Sequence, residues 1–228
     1  MLSYISSALL AASVLATGID YTQNGANWSD TCVTGEEQSP IDLVTDTDTS
    51  DSMEILGYNY YDFVKAGYSV SDPSMKIDFS NDQLRANAEL QITFADDSQS
   101  YFTPKYFNFH SPSEHTVDGA SYDAELHIAH VIKGSGLTST GESLDANEEL
   151  AGAMIAIFFD MNEGGSTTNA FLDSVFAAID DPTQKIDMRQ FLGTVDMTDY
   201  WSYDGSLTVP PCTEGIKWSV IKSVQPIS

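Results

Sequence analysis

Short alternations of apolar and polar residues dominate this sequence and predict β-strands. Because successive side chains of a strand point to opposite faces of a sheet, such alternation is typical of strands with one buried face. The alternations lie at residues 76–79 (KIDF), 89–94 (ELQITF), 106–110 (YFNFH) and 125–130 (ELHIAH). A continuous apolar run at residues 151–159 (AGAMIAIFF) predicts a strand buried on both faces, and residues 218–224 (WSVIKSV) predict a further strand.

Helical periodicity is confined to one segment, residues 169–180, which Pro182 follows closely enough to end it. Its apolar residues fall on one predicted face: Phe171, Leu172, Val175, Phe176 and Ile179. The glycine- and serine-rich residues 134–149 predict a surface connection. No repeat and no linker divides the 228 residues. The chain is therefore predicted to form one mainly β domain.

The N-terminal residues MLSYISSALLAASVLATG are typical of a secretory signal peptide, although no basic residue precedes the apolar run. The run is too short to cross a bilayer, and small residues near Ala16 and Gly18 suit cleavage. We expect a signal peptide at residues 1–18, a single domain at residues 19–228 and no transmembrane helix. The expected location is the secretory pathway, extracellular or an organelle lumen. A short buried or membrane-resting helix is the alternative for residues 1–18.

The chain is strongly acidic, with 34 Asp and Glu residues against 9 Lys and Arg, a net charge of −25. Nucleic acid and anionic membranes would be repelled, so neither is an expected partner. The acidic residues keep the protein soluble in the simplest interpretation, and in another they collect calcium or bind a basic partner. Because they are scattered and show no calcium-loop spacing, we favour the first interpretation.

Two cysteines, Cys32 and Cys212, are present. In a secreted chain they predict one disulfide between the two ends of the domain, with two unpaired buried thiols as the alternative.

All four histidines lie within residues 106–130. Alternation places Asn108 and His110 on one face of a strand, and it places His127 on the same face as Glu125. If neighbouring strands present these faces to one cleft, two imidazoles, an amide and a water could bind zinc, with a carboxylate orienting one imidazole. For any single histidine, a hydrogen-bonded core residue is the simpler interpretation.

Three motifs resemble the α-class carbonic anhydrase family. They are SPSEHTVDG at residues 111–119 followed by ELHIAH at 125–130, WSDTC and GEEQSPID within residues 28–42, and YWSYDGSLTVPPCTE at residues 200–214. They occur in the family's order, and the resemblance covers roughly residues 20–228. It implies a large, twisted, mostly antiparallel sheet with few short helices and a cleft that leads to zinc. It also implies hydration of CO₂ to bicarbonate and a proton by a zinc-activated water.

The resemblance implies a role for each matching position. His110 and His127 match two zinc ligands, and Glu125 matches the acid that supports a ligand. Thr208 and Glu114 match the catalytic pair in which the threonine orients the attacking hydroxide and the glutamate fixes the threonine. The substrate pocket is implied to include Ala129, Met154, Leu207, Val209 and Trp218. Cys32 and Cys212 match a disulfide of many secreted members.

The sequence departs from the family pattern at the metal site. Asn108 replaces the first zinc histidine, and Tyr106 replaces the glutamine that supports that histidine. The family's proton-shuttle histidine has no counterpart near residues 72–74. Loss of an imidazole ligand is expected to weaken zinc binding by at least the 10–100-fold typical of changes around the ligands, because an asparagine oxygen is a poor match for zinc.

Three functions remain open at this point. The preferred one is a carbonic anhydrase-like protein with impaired or lost catalysis that acts as a binding or structural subunit with a protein partner or assembly. The second is a slow zinc-dependent carbonic anhydrase that acts on CO₂ and bicarbonate through His110, His127 and either Asn108 or an extra water. The third is an acidic, calcium-collecting extracellular or matrix protein.

Overall fold

The computed structural model describes residues 26–45, 54–60, 63–64, 69–70, 75–78, 88–94, 98–133, 152–161, 168–181 and 183–227. Within these ranges the main element is a curled sheet of nine strands, accompanied by a three-stranded sheet, a two-stranded sheet and short helices.

The strands are β1 (Asp42–Leu43), β2 (Glu54–Asn59), β3 (Phe63–Val64), β4 (Ser69–Val70), β5 (Met75–Asp78), β6 (Glu89–Thr93), β7 (Gln99–His110), β8 (Thr116–Val117), β9 (Ala120–Ser121), β10 (Ala124–Ile132), β11 (Gly152–Asp160), β12 (Lys185–Ile186), β13 (Tyr200–Ser206) and β14 (Glu214–Pro226). The helices are α1 (Thr31–Thr34), α2 (Ala170–Asp180) and α3 (Met188–Leu192).

The large sheet runs in the order β13-β14-β11-β10-β7-β5-β4, and β6 pairs with both β2 and β7. Among its described strands, only β11 and β14 run parallel to each other. Strands β7, β10, β11 and β14 form its centre. The eight β11 residues from Gly152 to Phe159 are all apolar and all buried, so this strand is enclosed on both faces as predicted.

The two faces of the sheet carry separate apolar clusters. One face packs against α2 and α3 through residues such as Phe107, Phe159 and Phe171. Helix α2 begins at Asn169, whose side-chain oxygen accepts the backbone N–H groups of residues 171 and 172 and so caps the helix. The other face carries a smaller cluster around Trp218. The candidate site lies on this second face.

The prediction of a mainly β protein with a large, mostly antiparallel sheet and few short helices is confirmed. The predicted helix is also present, but the prediction that Phe176 lies on its apolar face was wrong. Phe171, Val175 and Ala178 form the buried stripe, whereas Phe176 is 55% exposed. The buried stripe is narrower than the sequence pattern suggested, because only the row nearest the sheet is covered.

A disulfide joins Cys32 and Cys212, with the two Cα atoms 5.0 Å apart. The pairing predicted from the resemblance is therefore present in the structure. It connects α1 to the segment between β13 and β14, which also contains Thr208.

Three predictions lie outside the described residues: the signal peptide at 1–18, the missing proton shuttle near 72–74 and the surface connection at 134–149. Among the helices that the structure describes, none has the length and apolar character needed to cross a membrane.

Candidate metal centre

The register between β7 and β10 places four polar side chains side by side on one face of the sheet. Asn108 lies opposite His127, and His110 lies opposite Glu125. All four side chains are buried. Alternation within each strand explains the shared face, and the antiparallel pairing explains why the two strands present these residues at the same level.

Asn108, His110 and His127 are in direct proximity. The Asn108 Nδ2 atom lies 2.6 Å from His110 Nε2, and the ring centroids of His110 and His127 are 4.6 Å apart. Because His110 Nδ1 lies 3.0 Å from a carboxylate oxygen of Glu114, the proton of the neutral ring belongs on Nδ1. The Nε2 lone pair of His110 then accepts the Asn108 amide N–H.

Glu125 is a buried carboxylate that holds four hydrogen-bond donors. Its Oε2 accepts the backbone N–H groups of Glu114 at 2.8 Å and His115 at 2.9 Å. Its Oε1 accepts His115 Nδ1 at 2.6 Å and His127 Nε2 at 2.8 Å. Burial raises the pKa of Glu125, but the two histidines and their hydrogen bonds outweigh burial and hold the pKa well below its usual range.

His127 is thereby held as a neutral imidazole with its Nδ1 atom directed away from Glu125. Burial lowers the pKa of His127 more than Glu125 raises it. With Nε2 donating to Glu125, the Nδ1 lone pair is available to a metal. The ring of Trp218 packs edge-on against His127, with centroids 4.9 Å apart, and limits its rotation.

Tyr203 and Ser39 extend this network, and sequence reasoning gave them no role. The Tyr203 hydroxyl lies 2.6 Å from His115 Nε2 and 2.8 Å from Ser39 Oγ. Burial raises the pKa of Tyr203 far above its usual value, so its hydroxyl stays protonated. Both residues stand in the motifs shared with the family, which is the signal that could have found them.

Glu114 lies between the two histidines, because its backbone N–H is anchored to Glu125. Its Oε1 is 3.0 Å from His110 Nδ1, and its Oε2 is 3.9 Å from His127 Nδ1. Burial raises the pKa of Glu114, but His110, His127 and a hydrogen bond with Thr208 outweigh burial and lower the pKa overall. The predicted neighbours Glu114 and Thr208 are thus brought together.

The predicted apolar pocket residues lie beside the histidines on the same face of the sheet. Ala129 is opposite Met154, and Met154 is opposite Trp218, so the three form a row across β10, β11 and β14. Leu207 is half-buried against this row. Val209 is also half-buried but lies outside the apolar cluster.

Tyr106 continues the row on β7, opposite Ala129. The Lys76 Nζ atom lies 4.1 Å from the centre of its ring, a cation–π contact that holds the ring over β5.

His130 lies apart from the site. A β-bulge follows Ala129, and the His130 ring faces the cluster that packs on α2 and α3. Its Nε2 forms a short hydrogen bond with the Tyr60 hydroxyl, and burial lowers the pKa of His130 to about 4.

The residues around Glu114 fit a divalent metal ion. His110, Glu114 and His127 each offer one ligand atom, and these atoms lie within 4.8 Å of one another. Among the described residues, Glu114 Oε2 is buried and has no hydrogen-bond partner. Two imidazoles and a carboxylate are a donor set that zinc takes in proteins.

Comparisons with known proteins agree with the fold and the motifs. The model of the eukaryotic-type carbonic anhydrase family matches residues 23–228. Alpha carbonic anhydrase 3 of Arabidopsis thaliana is 30% identical over 210 residues, which cover 89% of this chain and 66% of the relative. The chain therefore spans slightly less than two thirds of that relative's length.

Two solved structures have similar folds. A halotolerant carbonic anhydrase from Dunaliella salina superposes with a TM-score of 0.69 at 26% identity, covering 93% of this chain and 85% of the other. Dioscorin complexed with ascorbate superposes with a TM-score of 0.64 at 27% identity, covering 87% and 74%. Together with the match to the family model, these similarities define the class of protein as that of the α-carbonic anhydrases. This chain belongs to the eukaryotic-type carbonic anhydrase family.

Proposed function

We propose that this member of the family hydrates CO₂ weakly or not at all. The reason is that Asn108 stands at the first zinc-ligand position. We further propose that it serves as a binding or structural subunit in the secretory pathway, extracellularly or in an organelle lumen. The disulfide between Cys32 and Cys212 supports that location, because such bonds persist in oxidising compartments.

The observation that carries this proposal is the contact between Asn108 and His110. The Asn108 amide nitrogen lies 2.6 Å from His110 Nε2, so an amide and not a third imidazole is the neighbour of that ring atom. An amide is a poor substitute for an imidazole, because zinc prefers nitrogen and thiolate donors to a neutral carbonyl oxygen.

The other residues of the site keep positions that suit the family reaction. A zinc ion, when bound, supplies Lewis acidity. Thr208 lies close enough to Glu114 to help lower the pKa of that carboxyl group, as expected if the two side chains act as a pair. The row of Ala129, Met154 and Trp218 provides an apolar wall on which CO₂ could rest.

A slow zinc-dependent carbonic anhydrase is the second candidate, and the Thr208–Glu114 pair favours it. A binding function gains support from dioscorin, whose structure has ascorbate bound, because a protein of this fold can hold a small organic molecule. A calcium-collecting function is not proposed. Among the described acidic residues, Asp42 accepts hydrogen bonds from Thr116 and Gly119 rather than standing free for an ion.

Stopped-flow CO₂ hydration, with zinc content measured on the same samples, tests this proposal. The wild-type protein should be slow or inactive, and Asn108→His should raise turnover by at least tenfold, because one well-placed interaction is worth about 1.4 kcal/mol or more. Asp123→Asn, an acidic-to-amide change outside the site, is the control and should not alter the rate. Rapid wild-type hydration with tightly bound zinc would overturn the proposal.

A further inference from the structure

We propose that Asn27 is a site of N-linked glycosylation. It begins the sequence Asn27-Trp28-Ser29, which has the form Asn-x-Ser that the oligosaccharyl transferase of the secretory pathway recognises. None of the other asparagines in the 228 residues is followed two positions later by Ser or Thr. The inference rests on the proposed location in the secretory pathway, because the transferase acts on chains that enter the lumen.

The first observation is that Asn27 and Ser29, the two residues that the transferase recognises, are both exposed. Trp28 between them is only half-buried, so its ring does not draw the motif into the core. The Ser29 hydroxyl donates to Asp30 Oδ2 at 2.9 Å, and this bond lies at the exposed surface, where water can replace it. The motif therefore lies on the outside of the folded domain.

The second observation is that the surrounding segment leaves room for a bulky group. No residue from Ala26 to Asp42 is fully buried, and helix α1, which follows the motif, contains no buried residue. A glycan is large and polar and must stay in water. A glycan attached at Asn27 would therefore displace no side chain of either apolar cluster.

The third observation concerns the order in which the contacts of this segment can form. The Cys32–Cys212 disulfide holds the segment to the rest of the domain across a separation of 180 residues, and Gln38 Nε2 donates to Glu214 Oε1 at 2.9 Å. A chain emerges from its N-terminal end, so Asn27 reaches the transferase long before Cys212 and Glu214 are made. The motif is then free of these long-range contacts and can enter the transferase as an unfolded chain.

The modification is a group transfer from a lipid-linked oligosaccharide diphosphate. A bond forms between the anomeric carbon of the first sugar and the side-chain nitrogen of Asn27, and the bond from that carbon to the diphosphate oxygen breaks. The lipid diphosphate leaves with the electron pair of the broken bond, and the amide nitrogen releases one proton. No oxidant or reductant takes part.

Expression of the full chain in a eukaryotic secretory host tests the site. Digestion with peptide N-glycosidase F reports an attached glycan as a mobility shift, and peptide mapping reports the conversion of Asn27 to aspartate. The wild type should show a single shift, and Asn27→Gln and Ser29→Ala should lose it. Ser29→Thr should retain it, because threonine also fits the recognised sequence. Asn24→Gln changes a nearby asparagine outside that sequence, so this matched control should be modified as the wild type is.

A second version of the full chain, with an efficient signal peptide placed before Met1, separates the glycosylation proposal from the proposed location. Protection from added protease in microsomes identifies the luminal chain. A luminal chain without a glycan, or a shift that survives Asn27→Gln, overturns the assignment. If only the version with the added signal is modified, the native chain does not enter the lumen, and both the proposed location and the native modification fail.

Discussion

Asn108 lies directly opposite His127 across the β7–β10 pair. Facing residues of antiparallel strands have Cβ atoms about 4.5–5.5 Å apart, so a larger ring at position 108 would stand beside the ring of His127. A histidine at this position therefore requires no change of strand register. It requires room and a hydrogen-bond partner, which depend on the neighbours of position 108.

Tyr106 is the neighbour that should limit an added ring. It shares a face with Asn108, and its ring is held by Lys76, which itself lies opposite Asn108 on β5. We expect Tyr106→Gln combined with Asn108→His to hydrate CO₂ about tenfold faster than Asn108→His alone, since contacting residues couple by about 0.5–3 kcal/mol. Stopped-flow assays of both single variants and the double variant measure this coupling. Strictly additive effects would show that the tyrosine does not crowd the new ring.

Reduction of the Cys32–Cys212 bond should lower the free energy of unfolding. The bond closes a loop with a sequence separation of 180 residues. The chain-entropy model assigns about 5 kcal/mol to so long a loop, and losses of about 2–5 kcal/mol are typical when a native disulfide is removed. Urea unfolding with and without reductant measures the loss, and intact-mass analysis after alkylation verifies the redox state. Equal unfolding midpoints for the two states would contradict the prediction.

His130 should make stability fall between pH 6.5 and pH 4. Burial lowers its folded pKa from 6.5 to about 4, so in this window the unfolded chain binds a proton that the folded chain does not. Stability therefore rises with pH across the window, by at most about 3 kcal/mol from this residue. Denaturant unfolding at a series of pH values should show a smaller slope for His130→Gln, which retains an acceptor for Tyr60. An unchanged slope would assign the effect to other groups.

Gly205 should not tolerate a side chain. A Cβ atom there would lie 2.6 Å from Tyr203 Cε2 and 3.0 Å from Trp218 Cδ1. Gly205→Ala should reduce the free energy of unfolding by about 1–3 kcal/mol, as is usual for overpacking. Gly193→Ala is the control, because its Cβ would contact only backbone oxygens at 3.3 Å and 3.4 Å and should change stability by less than about 1 kcal/mol. Thermal unfolding of both variants decides the comparison.

Alternation located the central strands well but not their full lengths. The pattern at residues 106–110 identified the end of β7, yet this strand begins at Gln99. Pro104 and Lys105 interrupt the apolar–polar alternation, and proline is uncommon inside strands, so the first half was hidden. The short helix α3 was missed because five residues are too few to establish a helical period.

The part of the site that follows from alternation within a single strand was predictable from the sequence. Asn108 and His110 share a face by strand geometry alone, and so do Glu125 and His127. The position of Glu114 between the histidines was not predictable from the strands, because it lies on a loop whose backbone N–H groups are anchored to Glu125. That anchoring joins a loop residue to a strand residue eleven positions further along the chain, and strand alternation does not specify it.

The place of β14 in the sheet has a consequence for how the chain is made. This strand, Glu214–Pro226, is the last one described, yet it lies inside the sheet between β13 and β11. During translation, β11 therefore leaves the ribosome well before the strand that covers its edge. Until β14 pairs with it, β11 has an unpaired edge, and an unpaired apolar edge is prone to aggregation. Pairing of β11 with β14 also joins distant parts of the chain, and such contacts form slowly. Pairing of β11 with β14 should accordingly be a late step in folding of this sheet, because it waits for Trp218 and its neighbours.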